Sequence, residues 1–158
     1  MMRHLTLLLF AVCTSITLAW NASANDADAY NGFFWNQTKD AIFEIRLTEN
    51  TGSPSVEGIT RWSEKPAIDT KNPDPALKER SLKGVVFLWG FKYDARKNRW
   101  KNGKVYDPNN GKTYDAKMEL EENGNILKMR GYIGISLLGR TAKFERVKPD
   151  DFPAQFKQ

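Results

Sequence analysis

Residues 41–48 alternate in character. Ala41, Phe43, Ile45 and Leu47 share one face, while Glu44, Arg46 and Thr48 share the other with Ile42. A period of two predicts a half-buried strand. Glu49 to Pro54 is turn chemistry, and Ser55 to Trp62 reads as the second arm of a hairpin. Val85 to Lys92 is rich in β-branched and aromatic residues, and Trp100 to Tyr106 follows it. After a turn at Asp107 to Gly111, Thr113 to Leu120 sets Tyr114, Ala116, Met118 and Leu120 on one side. Glu121 to Gly124 turns the chain into Ile126 to Arg130, and Arg140 to Val147 closes the series. With Gly32 to Asn36 this makes about eight short strands, the spacing of a sandwich or barrel. A meander with no helix left to cover its edge favours closure into an all-β barrel.

One stretch breaks the rhythm. Ser63 to Lys83 is too long for a hairpin loop. Within it, Asp74 reads as a helix N-cap and Pro75 as the first helical residue, so one short helix is expected there. The loop is a lid or a packed surface loop. The tail from Lys148, with Pro149 and Pro153, is expected to be irregular and draped on the surface.

The N-terminus has a different pattern. Met1 to His4 is short and basic, Leu5 to Ala19 is mostly apolar, and Ala22-Ser23-Ala24 offers small residues for cleavage. This is the layout of a secretory signal peptide. The apolar run is shorter than the about 20 residues that span a bilayer. Residues 1–24 are therefore expected to be a removed signal, and 25–158 one domain, exported to the periplasm or beyond, with no transmembrane segment. About 134 residues suit a single core without staples.

Composition then narrows the chemistry. The whole chain has one cysteine, Cys13, and one histidine, His4, both inside the expected signal. The exported domain thus has no internal disulfide, no Ser-His-Asp or Cys-His nucleophile and none of the usual zinc ligands. The formal net charge of +5 falls to about +4 once Arg3 is removed. This mild basicity permits attraction to anionic lipids or polysaccharide, and solvated strand faces account for it equally well. No cofactor and no metal are expected.

Apparent motifs dissolve under their spacing. Gly111-Lys112-Thr113 lacks the upstream glycine and the following helix of a phosphate loop. Asp107 to Gly111 has its glycine one position early for a calcium loop, and Met118 stands where a bidentate glutamate belongs. Ser136 has no histidine to activate it. Glu44, Glu57, Asp107, Asp115 and Glu119 show no spacing that pairs them for glycoside hydrolysis. The aromatics Trp35, Trp62, Trp89 and Trp100 fit core and girdle packing. The weak charge argues against a nucleic-acid partner. Arg130 to Arg140 brackets an apolar segment with glycines and arginines. Its apolar side chains line a cavity or plug the barrel end, and its arginines hold an anionic head group or stack on a ring.

The runs Asn72-Pro73-Asp74-Pro75, Trp89-Gly90, Gly103 to Pro108, Gly111 to Tyr114, Arg130 to Gly134 and Leu138-Gly139-Arg140 resemble the domain of unknown function 2147 family of bacterial exported proteins. The resemblance extends from about Gly32 to Arg146, with Phe144 where the family more often has tryptophan. It implies a single up-and-down, lipocalin-like β-barrel and no established reaction. Gly32 to Trp35 is also similar to the opening of a lipocalin's first strand. That likeness implies a structural closure in which Arg140 or Arg146 covers Trp35.

The expected function is therefore non-catalytic: a binding protein holding one small apolar or amphipathic ligand in its barrel. Candidate contacts are Phe43, Ile45, Trp89 and Leu120 for the apolar part, with Arg130, Tyr132 and Arg140 at the mouth. The alternative is an envelope interaction protein whose barrel is filled by its own side chains.

Overall fold

Strand-forming alternation and glycine-rich turns produce nine antiparallel strands in the computed structural model, which describes residues 26–50 and 52–157. They are β1 (Gly32–Trp35), β2 (Ala41–Asn50), β3 (Ser53–Ser63), β4 (Val86–Trp89), β5 (Lys92–Asp94), β6 (Arg99–Asp107), β7 (Lys112–Glu121), β8 (Ile126–Tyr132) and β9 (Arg140–Glu145). The sheet order is β1-β2-β3-β4-β6-β7-β8-β9, with β5 paired to β6. A bridge between Phe34 and Arg146, with the Val147 amide donating to the Phe33 carbonyl at 2.9 Å, brings the last edge to the first. The result is a nearly closed eight-strand barrel with a short extra strand. The expected signal peptide lies outside the described residues.

The run read as one strand, Val85 to Lys92, is split. Gly90 adopts φ +75°, which breaks the pleat between β4 and β5 and lets Phe91 turn into the core. In the long loop, Pro75–Leu77 forms the expected short helix as a 3₁₀ turn, and the Asp74 carboxylate accepts from the Ala76 amide at 2.9 Å. The C-terminal tail forms two further 3₁₀ turns, and its Phe152 and Phe156 meet Phe33 edge-on at 5.3 and 5.2 Å.

Register decides what enters the barrel, because directly paired residues share a face. Phe34 pairs with Phe43, Trp100 with Met118, Leu120 with Leu127, and Met129 with Ala142. The interior from mid-barrel to one end is filled with rings. Phe43 stacks on Phe34 at 5.9 Å and meets Phe87 and Phe144 edge-on at 5.4 and 5.2 Å. Trp100 lies against Tyr93 and Tyr30 at 5.0 and 6.2 Å. Each such pair adds about 0.5–1.5 kcal/mol beyond the area buried. Glycine makes room where rings crowd: a Cβ on Gly103 would overlap the Phe91 ring.

Arg146 closes this packed end. Its guanidinium donates to the carbonyls of Gly124, Asn31 and Ala29, each at 2.7 Å, and sits 4.5 Å above the Phe34 ring. Gly32, at φ +136°, leaves the space the guanidinium occupies. The expected cover over Trp35 is therefore corrected: the ring beneath the arginine is Phe34. Trp35, one residue along a pleated strand, points to the opposite face and meets Trp62 edge-on at 6.1 Å.

The long loop is pinned by a buried carboxylate. Asp69 is fully enclosed and accepts hydrogen bonds from the Tyr106 hydroxyl at 2.5 Å, Asn72 at 2.7 Å and Arg80 at 2.9 Å. Burial alone would raise its pKa, but these three donors outweigh it and hold the carboxyl below its ordinary value. Burial, reinforced by the Asp69 hydrogen bond, pushes Tyr106 up to about 12. A depressed folded pKa gives Asp69 a contribution present above its unfolded value and lost as pH falls through the folded one. The raised Tyr106 contributes below pH about 10 and loses that contribution as pH climbs through about 12. Proteolysis within residues 64–84 should thus accelerate below about pH 4 before the barrel unfolds, and Asp69→Asn should flatten that acid dependence. Equal acid dependence in the variant would contradict the assignment.

Candidate functional site

The two ends of the barrel differ. At the end closed by Tyr30, Trp100 and Arg146, Phe34, Val56, Met118 and Leu127 are fully or almost fully buried, and Leu47, Tyr93, Leu120 and Phe144 pack half-buried against them. At the opposite end, several residues on the inner face remain half-buried: Thr60, Phe87, Val105, Tyr114 and Ala142. Register orients four of them, and the edge-on contact with Phe43 orients Phe87. Thr60 pairs with buried Phe43, Val105 with Tyr114, and Ala142 with buried Met129. Gly131 confirms the direction, since a Cβ there would sit 3.6 Å from Tyr114 Cβ and 3.8 Å from Val105 Cγ1. Arg140 pairs with Gly131, so it stands on the inner face at the rim, and it is exposed. Together these form an apolar mouth, floored by Phe43 and Phe87 and edged by one cation. The Tyr114 hydroxyl accepts from the Asn110 amide at 3.0 Å, which ties the mouth to the β6–β7 turn.

The side chains expected to surround a ligand separate into three places. Phe43, Ile45 and Leu120 do face inward. Ile45 is fully covered by protein and Phe43 nearly so, because neighbouring rings fill the space beside them, so they are core rather than lining. Leu120 is half-buried at the sealed end, where its amide donates to Tyr30 Oη at 3.3 Å. Trp89 is corrected: Leu88 pairs inward with Gly58, so the next residue turns out, beside Lys104, 38% exposed. Arg130 and Tyr132 are likewise corrected, since they flank the inward positions Met129 and Gly131 and lie on the outer face. Arg130 donates to the carbonyls of Ser136 and Leu137 at 2.7 and 3.0 Å and to the Thr141 hydroxyl at 2.9 Å. Of the expected set, Arg140 stands at the rim of the mouth and Phe43 beneath it. Register exposes the missed residues Thr60, Val105 and Ala142, whose sequence signal is the same alternation once strand pairing is known; Phe87 follows no such alternation, since its neighbour Leu88 also faces inward beside the register shift at Gly58.

The acids weighed for hydrolysis are dispersed over the surface with cations or turn amides. Glu44 pairs with Arg61, Glu57 with Arg46 at 3.0 Å, Asp115 with Lys104 at 2.6 Å and Glu119 with Lys128 at 2.7 Å. Asp107 accepts from the Asn109 amide at 3.0 Å within its turn. Among the described residues no group of three or more His, Cys, Asp or Glu could hold a metal ion. Nor is any helix there long and apolar enough to cross a membrane.

Comparison with known proteins places this geometry. The chain is similar to protein HP1028 from the human pathogen Helicobacter pylori, a protein of the lipocalin family. The two share 28% sequence identity with a TM-score of 0.62, over 81% of this chain and 88% of that one. A lipocalin-like barrel is a fold suited to ligand binding in general and is typically non-enzymatic. No curated protein matches the chain. The family model described as "Uncharacterized protein conserved in bacteria (DUF2147)" matches residues 16–146, and the chain belongs to that family.

Proposed function

We propose that this is an exported, non-catalytic binding protein that takes one small amphipathic ligand at the open end of its barrel. The observation that carries the reading is the contrast between the two ends. One end is closed over by Tyr30, Trp100 and the Arg146 guanidinium, and at the other Phe87, Val105, Tyr114 and Ala142 stay half-buried beside the exposed Arg140. An apolar floor with a single cation at the rim suits a short or folded hydrocarbon chain that carries a carboxylate or another anionic group. The depth available differs from that of a hollow barrel, since the rings around Phe43 occupy the centre. The ligand therefore rests on those rings and projects its polar group outward. Export is supported by the basic, apolar and small-residue sequence of the first 24 residues.

The test uses the purified protein. Solvent extraction followed by mass analysis should recover an amphiphile, and fatty acids should displace an environment-sensitive fluorescent probe. Ala142→Trp should fill the mouth and reduce binding about tenfold or more, while Arg140→Gln should lose about three- to tenfold for a carboxylate and nothing for its methyl ester. No amphiphile in the extract and no probe binding by the wild type would remove the proposal. The ring-filled centre would then favour the other reading, a barrel that acts through its outer surface.

A further inference from the structure

The connection between β8 and β9 presents aliphatic side chains to water. Ile133, Ile135, Leu137 and Leu138 are 67, 60, 86 and 80% exposed. Four such residues at one protruding turn are not the scattered single exposures that any surface carries. The turn is also built in a defined shape. Residues Ser136–Leu138 form a 3₁₀ turn in which the Leu138 amide donates to the Ile135 carbonyl at 3.2 Å. Arg130 reaches back beneath it and satisfies the carbonyls of Ser136 and Leu137. Carbonyls already paired with protein donors enter an apolar medium at lower cost than unpaired ones.

The surface under this tip is cationic. A cleft of about 420 Å³ runs beneath Ser136 and Leu137, and its walls include Arg99, Lys117, Lys128 and Arg130 against one carboxylate, Glu119. Lys128 is neutralised by Glu119 and Glu121 at 2.7 and 2.9 Å. Arg130 is not, because its partners are carbonyls and a hydroxyl. Arg99 forms a long ion pair with Asp94 at 3.7 Å, and its buried Nε has no hydrogen-bond partner.

We infer that this tip docks on the surface of an anionic phospholipid bilayer. Ile133, Ile135, Leu137 and Leu138 enter the acyl boundary while the cations behind them meet lipid phosphates. The pairing of an apolar tip with a cationic base is the arrangement that interfacial attachment requires. A protein partner fits less well: a four-residue protrusion is small beside the roughly 800 Å² that each side of a stable protein interface contributes. The proposal is independent of the ligand at the mouth.

Co-sedimentation with vesicles tests it. The purified protein should sediment with vesicles of equal parts phosphatidylglycerol and phosphatidylethanolamine, stay in solution with pure phosphatidylcholine, and be released by high salt. Leu137→Ser with Leu138→Ser should weaken partitioning about tenfold or more, with the melting temperature unchanged because both side chains are exposed. Lys117→Glu should weaken it too and reduce its salt dependence. Absence of wild-type binding to the anionic vesicles would overturn the inference, as would equal binding by the double serine variant. Self-association in sedimentation velocity that disappears in the double variant, without vesicle binding, would overturn it in favour of an interface between copies.

Discussion

Replacing Arg146 by alanine should destabilise the protein by about 3–5 kcal/mol, the largest effect expected of any side chain outside the fully buried core. The guanidinium donates to three carbonyls that come from separate parts of the chain: Ala29 and Asn31 before the first strand, and Gly124 in the β7–β8 turn. A hydrogen bond from a charged donor contributes about 1.5–3 kcal/mol, and carbonyls left unpaired at a half-buried site add a cost of their own. The contact with Phe34 adds roughly 0.5–2 kcal/mol. Lysine should recover only part of the loss, since a single ammonium cannot span three acceptors set around a planar fork. Urea unfolding of the wild type, Arg146→Ala and Arg146→Lys would read this directly. A loss under about 1 kcal/mol for alanine would mean that the Phe34–Arg146 bridge does not hold the barrel shut.

Gly103→Val should cost about 3 kcal/mol, at the upper end for overpacking. Gly103 lies on the inner face of β6 opposite Ala116, and the Phe91 ring rests where its side chain would be. Small residues at Gly103 and Ala116 let rings from β4, β5 and β6 interleave in a narrow barrel. The cost should fall when the ring is shortened: Gly103→Val combined with Phe91→Leu should be more stable than the sum of the single losses by about 1 kcal/mol or more. Strict additivity in that double-mutant cycle would show that the ring and the glycine do not share the space.

Much of this architecture is readable from the residues alone, because a half-buried strand writes itself as alternation. Phe43, Ile45 and Leu47 on β2, and Ala116, Met118 and Leu120 on β7, face the interior as their spacing demands. The short helix at Pro75 follows from its Asp-Pro start. What the residues do not disclose are events that depend on pairing or on a single dihedral angle. Gly90 at φ +75° divides one expected strand into two, and the inward position passes to Phe91 while Trp89 stays outside. Asp69 and Tyr106 meet across 37 residues with no local pattern to announce them.

The candidate site was harder to read than the fold for a related reason. Arg130 and Arg140 flank the same segment and look alike in sequence, yet one position of parity separates their roles. Arg130, adjacent to the buried Met129, turns outward and is consumed in holding the Ser136–Leu138 turn. Arg140, opposite Gly131, keeps the inner face at the rim. The aromatic core has a similar logic. Rings strung along separate strands are compatible with either a hollow or a filled barrel, and only their mutual distances show that Phe34, Phe43, Phe87 and Phe144 close on one another.

The proposed binding role requires a barrel that is closed at one end and receptive at the other. Amide chemical-shift mapping during titration with a medium-chain fatty acid tests that division most directly. The predicted result is saturable shifts confined to Thr60, Phe87, Val105, Tyr114, Arg140 and Ala142, with Trp100, Phe91 and Met118 unmoved. Shifts absent at saturating ligand, or shifts that spread through the sealed end around Trp100, would contradict it.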